Sequence, residues 1–259
     1  MIRRLYLVAI LFLLPTTAMA AWTATPVQIQ TTTANKRAHN DVGVHRLVRV
    51  GNTIIALADG VNNSPVHEGI YRSTDGGTNW SLIGDKDNSC RGTIVLGPGN
   101  QVYVFWVDTV SSTGIYLSKF AYNETPPTAT CIYSGYVKSV GYGGGYQTLD
   151  AAVDSNGVIY LVAHYALSDG DYDRVVFIKS SDNGTTWSAP STIDSLSGTS
   201  FAHPSLFIDH ANNLLVCYAQ HASSYTGGRT DPDKRIYFKR SSDGGNTWTS
   251  RIQVDEVGD

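Results

Sequence analysis

Basic clusters, cysteine and helix-favouring stretches are all in short supply in this chain of 259 residues. Without a run of lysine or arginine there is no electrostatic footprint for a nucleic acid, and none is expected as a partner. The balance of 19 Lys+Arg against 22 Asp+Glu is mildly acidic, −3 overall. No long apolar run follows Leu14, so no membrane span is expected downstream of the N-terminus. The scarcity of helical stretches, set beside 15 Tyr and 25 Gly, points to an all-β protein. The length allows one domain with a substantial buried core.

The N-terminus stands apart. Arg3 and Arg4 precede an apolar core from Leu5 to Leu14, and Ala18-Met19-Ala20 supplies a small-residue cleavage site. Residues 1–20 therefore read as a secretory signal, whose apolar part is too short for a comfortable span. An uncleaved anchor is the minor alternative, and the lack of a cysteine just past the site argues against a lipoprotein. Cleavage removes two of the 19 cationic residues and no acidic ones, leaving −5. The expected destination is secreted or periplasmic, with no membrane span after cleavage.

One short pattern occurs three times: S-T-D-G-G-T-N-W from Ser73 to Trp80, S-D-N-G-T-T-W from Ser181 to Trp187, and S-D-G-G-N-T-W from Ser242 to Trp248. Each follows a strand-like run and opens another, so each reads as the turn of a β-hairpin. Gly76, Gly77, Gly184, Gly244 and Gly245 permit the positive φ that tight reversal needs. Asp75, Asp182 and Asp243 are placed to accept hydrogen bonds from backbone N–H groups. Trp80, Trp187 and Trp248 offer a large apolar surface to pack beneath the turn. These tryptophan turns are expected to be folding devices and not sites.

Asp182 and Asp243 lie 61 positions apart, and Asp75 and Asp182 lie 107 apart, about twice that. The chain thus repeats with a period of roughly 50–60 residues. One unit lacks the turn, and N-E-T-P-P at 123–127 takes its place. Each unit opens with an inner strand (47–50, 93–96, 149–153 and 205–208) and continues with a second (54–58, 102–107, 159–163 and 214–218). Turn-forming residues at 51–52, 97–100, 154–157 and 209–213 join them. Third strands lead into the tryptophan turns and fourth strands leave them. Cys90 and Cys131 bracket one unit, and a bridge between them would contribute about 4 kcal/mol through loop entropy. Cys217, within L-L-V-C-Y, reads as a buried free thiol. Spacing leaves the pairing open.

The turn resembles the Asp box, S-x-D-x-G-x-T-W, of the sialidase-superfamily (BNR-repeat) β-propellers. The resemblance implies an all-β propeller over residues 21–259, with four visible blades at roughly 44–85, 90–136, 147–196 and 201–256. The structural positions of the box would be Ser73, Asp75, Gly77, Trp80, Asp182, Gly184, Trp187, Asp243, Gly245 and Trp248. Residues 21–31, containing W-T-A-T-P-V-Q-I-Q, are similar to the segments that follow the turns. They read as an orphan outer strand or as an arm packed outside. On the first reading the chain is a fragment of a six-bladed ring.

In such a fold ligands bind at the mouth of the central channel, where inner strands begin and second strands finish. That places His45, Arg46, Asp59, His67, Glu68, Arg91, Asp108, Gln147, Asp150, His164, Tyr165, His203 and His221 around one opening. Converging titratable groups suit an oligo- or polysaccharide. Three functions stay open. The first is glycoside hydrolysis of the sialidase kind, which needs carboxylate-binding arginines, an Asp acid/base and a Tyr nucleophile. The stretch 42–60 is similar to the family's opening, but the first two arginines of the family fall on Gly43 and Val61, and the acid/base falls near His67-Glu68. Arg46 from a shifted position and Glu68 in place of the acid are then the substitutes, with Asp59 close by. The second resembles the BNR-repeat polysaccharide lyases: His164, His203 and His221 act as bases, helped by Tyr165 and Arg91. The third is a non-catalytic glycan-binding or scaffold propeller, using the Tyr- and Gly-rich loops 134–146 and 221–234. No cofactor or metal is expected. G-Y-G-G-G-Y lacks a strand-to-helix context for phosphate, and D-S-N-G lacks an EF-hand continuation.

Overall fold

The structure, a computed structural model, describes residues 45–59, 68–86, 92–107, 114–134, 149–166, 172–197, 199–222 and 235–255. Sixteen strands among them form four antiparallel sheets of four, each in simple sequential order. The first sheet holds β1 (Leu47–Val50), β2 (Thr53–Asp59), β3 (Glu68–Ser73) and β4 (Ser81–Lys86). The second holds β5 (Thr93–Gly97), β6 (Gln101–Val107), β7 (Gly114–Ala121) and β8 (Thr130–Ser134). The third holds β9 (Leu149–Val153), β10 (Ile159–Ala166), β11 (Tyr172–Ser180) and β12 (Ser191–Ser197). The fourth holds β13 (Thr199–Ile208), β14 (Leu214–Ala222), β15 (Arg235–Ser241) and β16 (Ile252–Gln253). Only one 3-10 turn, Pro98–Asn100, interrupts the strands among the described residues.

The inner strands β1, β5, β9 and β13 neighbour one another in succession, and the sheets stack face to face. This is the blade arrangement of a β-propeller. Three apolar layers fill the spaces between blades. Ile55, Leu57 and Ile70 meet Val104 and Trp106 between the first and second sheets. Tyr103, Phe105 and Leu117 meet Leu161 and Ile178 between the second and third. Tyr160, Val162 and Phe177 meet Leu206, Val216 and Tyr218 between the third and fourth. Because both faces of the middle sheets are covered, their second strands read as unbroken apolar runs, as in Q-V-Y-V-F-W-V.

The three tryptophan turns share one hydrogen-bond pattern. Asp75 Oδ1 accepts from the N–H groups of Thr78 (3.0 Å) and Asn79 (2.9 Å). Asp182 does so from Thr185 and Thr186, and Asp243 from Asn246 and Thr247. The serine of the pattern is Ser73, Ser180 or Ser241: its hydroxyl donates to the aspartate and accepts from the N–H of Gly77, Gly184 or Gly245. The string beginning at Ser181 or Ser242 therefore starts one residue late. Asn183 stands in the left-handed region (φ 59°) where Gly76 and Gly244 stand in the other turns. Trp187 packs edge-on against Phe105 of the preceding sheet with ring centroids 5.6 Å apart, and Trp248 against Phe177 at 5.5 Å. Each such pair contributes about 0.5–1.5 kcal/mol beyond its burial.

Cys217 departs from expectation. It is exposed, because the alternation of L-L-V-C-Y sends Val216 and Tyr218 toward the third sheet and Cys217 to the opposite face. Cys90 lies outside the described residues. So do the signal segment 1–20, the arm 21–31 and the loop 135–146. No helix among the described residues is long and apolar enough to cross a membrane.

Candidate functional site

The two residues ahead of β1, which the sequence reading places at a channel mouth, join neighbouring sheets. The carbonyl of His45 accepts from Ile94 N–H of β5 (3.0 Å), and that of Arg46 accepts from Leu57 N–H of β2 (2.9 Å). The segment is thereby wedged between its own sheet and the next, and its two side chains turn toward different carboxylates.

Arg46 forms an ion pair with Glu68, the first residue of β3, and its Nη1 donates to the carbonyl of Gly92 at 3.0 Å. Glu68 is fully buried and also accepts from Gly92 N–H through Oε2. Only glycine fits at 92. A Cβ there would lie 2.6 Å from Glu68 Oε2 and 2.8 Å from both the Phe105 carbonyl oxygen and the Trp106 ring.

His45 Nδ1 donates to Asp150 Oδ1 at 3.0 Å. Asp150, on β9, is completely buried and accepts further bonds from Thr93 Oγ1 (3.2 Å), Ala151 N (2.9 Å), Ser205 Oγ (3.3 Å) and Leu206 N (2.8 Å). Thr93 begins β5 and Ser205 and Leu206 lie on β13, so one carboxylate gathers donors associated with all four sheets. The hydrogen bond to Asp150 raises the pKa of His45 above its ordinary value, partial burial opposes the rise, and the aspartate charge adds to it.

The outcome is a pair of contacts in which the carboxylates are hidden and the basic side chains show. Glu68 and Asp150 have no accessible side-chain surface, whereas the side chains of Arg46 and His45 are 30% and 48% exposed. Among the described residues no three His, Cys, Asp or Glu side chains group as metal ligands.

The structure brings Arg46 and Glu68 together. Asp59 pairs with Glu68 across the β2–β3 ladder, placing it at the same rim, although its side chain lies outside the described set. His164 is buried on β10 opposite Val175, with 1% of its surface accessible. Tyr165 follows opposite Arg174, His203 sits where β13 slips register between Ala202 and Ser205, and His221 faces Ser200. The side chains of these three lie outside the described residues, as do Arg91, His67, Asp108 and Gln147 altogether. Sequence reading put His45 and Asp150 at the mouth without a role. The signal was there in L-D-A-A-V, a lone acid inside a buried inner strand. Nothing in the sequence marked Gly92, Thr93 or Ser205. A separate groove of about 490 Å³ between β7–β8 and the turn of the third sheet, lined by Lys119, Thr130 and Trp187 among others, contains no mouth residue.

No family model matches this sequence, and no curated protein matches it. Solved structures do. The α-L-arabinanase of Penicillium chrysogenum, complexed with arabinobiose, superposes with a TM-score of 0.58 at 16% identity over 81% of this chain and 66% of its own. An α-L-arabinofuranosidase of Fusarium graminearum, in complex with an iminosugar inhibitor, gives 0.57 at 15% over 85% and 68%. An ulvan lyase of polysaccharide lyase family 25 gives 0.53 at 13% over 80% and 54%. The chain thus spans about two thirds of the arabinanase and of the arabinofuranosidase and about half of the lyase. These likenesses define the class as a β-propeller. At such identities they speak for the fold alone.

Proposed function

We propose that this chain is an extracellular propeller acting on glycans, with Asp-box turns as its staples and a mouth suited to acidic saccharides. One observation carries the reading: Arg46 presents a partly exposed guanidinium beside the half-exposed imidazole of His45, each backed by a fully buried carboxylate. Buried carboxylates fix the orientation of both groups and prepay the ordering cost of binding. A uronate, sialate or sulfated sugar offers an anionic oxygen to the remaining N–H donors of the guanidinium, and a neutral sugar does not. The structural neighbours, named an arabinanase, an arabinofuranosidase and an ulvan lyase, support a glycan as the ligand class.

Where chemistry follows binding, the geometry favours proton abstraction over hydrolysis. A glycosidase needs two carboxylates that reach the scissile bond. Glu68 and Asp150 are both inaccessible, the first engaged by Arg46 and the Gly92 N–H and the second by donors that include Leu206 N–H. His45, oriented through Nδ1, leaves Nε2 to act as a base, while Arg46 offsets a neighbouring sugar carboxylate. Tyr165, His203 and His221 enter the proposal as partners on the strands that end at the same rim, Arg91 as a second cation, and Asp59 and His164 as groups orienting them.

The test is titration calorimetry with polyuronates, ulvan and neutral arabinan, alongside ultraviolet absorbance for unsaturated uronate and aglycone release from sialosides and arabinofuranosides. Acid-selective binding that weakens in Arg46→Lys supports the reading. Because Arg46→Ala would strand a buried carboxylate, the paired Arg46→Gln/Glu68→Gln variant is the folded control without the charge. Equal affinity for neutral and acidic polymers would sink the proposal. So would release of an aglycone that survives the paired variant.

A further inference from the structure

The second sheet departs from the other three in one place: N-E-T-P-P joins β7 to β8 where a tryptophan turn stands elsewhere. Its two prolines go to opposite sides. Pro126 seats on the first sheet, where a Cβ at Gly84 of β4 would lie 2.7 Å from its Cγ. Pro127 lines the groove of about 490 Å³ on the side of the third sheet, and its carbonyl is held by the Ser118 hydroxyl at 2.8 Å. Alternation then sorts the residues that enter β8. Ala129 packs into the layer with the first sheet, whereas Thr128 and Thr130 line the groove and Ile132 packs against the layer with the third. Both walls of the groove belong to middle sheets, each packed on a further sheet behind it.

The turn of the third sheet stands across the groove. Thr185 Oγ1 donates to the Asp182 carbonyl (2.9 Å) and Thr186 Oγ1 to Asp182 Oδ2 (2.5 Å). Each of these hydroxyls has its proton committed and its lone pairs left to accept. Thr128, Thr130, Thr185 and Thr186 are all exposed. Trp187, edge-on to Phe105, supplies the apolar side of the groove together with Leu117 and Ile132. Its indole N–H finds no acceptor among the described residues, while that of Trp80 is spent on its own turn. Charge is nearly absent. No carboxylate lines the groove among the described residues, and its one ammonium is already engaged. Lys119 Nζ donates to the Asn183 carbonyl at 2.8 Å and lies 5.7 Å from the centre of the Tyr103 ring.

We propose that this groove is a second saccharide site, taking a short uncharged segment of a glycan. A sugar ring has an apolar C–H face and a rim of hydroxyls, the complement of an indole-and-aliphatic wall edged with threonines. The volume falls within the roughly 300–1,000 Å³ of small-molecule sites. An anion would find the only cation already bonded, and a cation would find no carboxylate to replace its water. The groove shares no residue with the His45–Arg46 site, so the proposal stands independently of what that site binds.

Heteronuclear NMR on the whole chain tests this, by titration with arabinotriose, cellotriose and maltotriose against trigalacturonate as the charged probe. At least one neutral trisaccharide shifts the amides of Thr128, Thr130, Gly184 and Thr185 and the indole N–H of Trp187, saturably and in the millimolar range. Trigalacturonate binds there more weakly. Thr128→Met and Thr130→Met, both on exposed side chains, remove a hydroxyl and fill the groove. Each weakens binding about tenfold, the equivalent of one or two hydrogen bonds, at an unchanged urea midpoint. No saturable shift with any of the three neutral sugars overturns the proposal, and so do shifts that leave Thr128, Thr130 and Thr185 untouched. Trigalacturonate binding as tightly in the groove, or methionine variants that bind like the wild type, overturns it too. Should Thr130→Met without sugar move the amides of residues 21–44, the chain's own N-terminal arm fills the groove and the proposal falls.

Discussion

Replacing Asp150 tests how far one buried carboxylate organises the propeller axis. In Asp150→Ala, Thr93 keeps an alternative acceptor in the His45 carbonyl at 3.2 Å, and the Ser205 hydroxyl can turn. The N–H groups of Ala151 and Leu206 have no such freedom, since both belong to inner strands. A buried donor left unsatisfied costs about 1–3 kcal/mol, so these two alone predict a loss of about 2–6 kcal/mol. That is a large share of the roughly 5–15 kcal/mol that ordinarily holds a domain folded. Asp150→Asn keeps the shape but presents an amide NH2 to one set of donors whichever way it turns, and should fall between wild type and alanine. Urea unfolding with an unchanged slope measures the loss. Hydrogen exchange supplies a second reading, because protection should fall together in β5, β9 and β13. In the asparagine variant the His45 titration, followed by NMR, should drop back toward 6.5, its ordinary value. An asparagine variant that costs under about 0.5 kcal/mol, within the range of neutral surface changes, would refute the keystone role. So would one whose His45 titration stays put.

The raised pKa of His45 makes its stabilising contribution complete below 6.5 and progressively lost as pH climbs through the folded-state value. Stability and acidic-glycan affinity should decline together over that interval, and both slopes should vanish in His45→Gln; a slope that persists would implicate another group. The turn carboxylates act in the opposite direction: hydrogen bonds from Thr186 and Thr247 hold Asp182 and Asp243 down at about 2. Their contribution should be present above the ordinary carboxylate range and lost as pH falls through about 2, and Asp182→Asn should flatten that acid limb in thermal melts. Gly92→Ala should cost about 1–3 kcal/mol by overpacking and should weaken ligand binding along with it, measured by urea unfolding and calorimetry. Trp187→Ala should cost about 3–5 kcal/mol by calorimetric melting. Trp80→Ala should cost, besides lost packing, the hydrogen bond from its indole to the Gly77 carbonyl, about 0.5–1.5 kcal/mol by the same melting.

Strand order and turn chemistry were legible because they are local. The repeat rhythm read outward from the tryptophan turns located Leu47–Val50 and Leu149–Val153, while glycine and aspartate spacing located the hairpins. Even a local pattern can mislead by one residue. Two adjacent serines precede Asp182 and Asp243, and only the hydrogen bonds show that Ser180 and Ser241 serve. The exposure of Cys217 was hidden for a different reason. An apolar run says that a strand is apolar, and only the neighbouring sheet decides which of its faces is covered.

By itself, then, the amino-acid order determined a repeated four-stranded unit, its reversals and the region where charged groups gather. Which charge faces outward was decided only when the units came together. Glu68 and Asp150 are ordinary acids in the sequence, and Arg46 and His45 ordinary cations. Burial of the acids needs donors from residues as far apart as His45, Gly92 and Leu206, and no local rule brings those into contact. Burying a charge is tolerated only where such partners converge. The cationic character of the mouth is for that reason a property of the assembled blades.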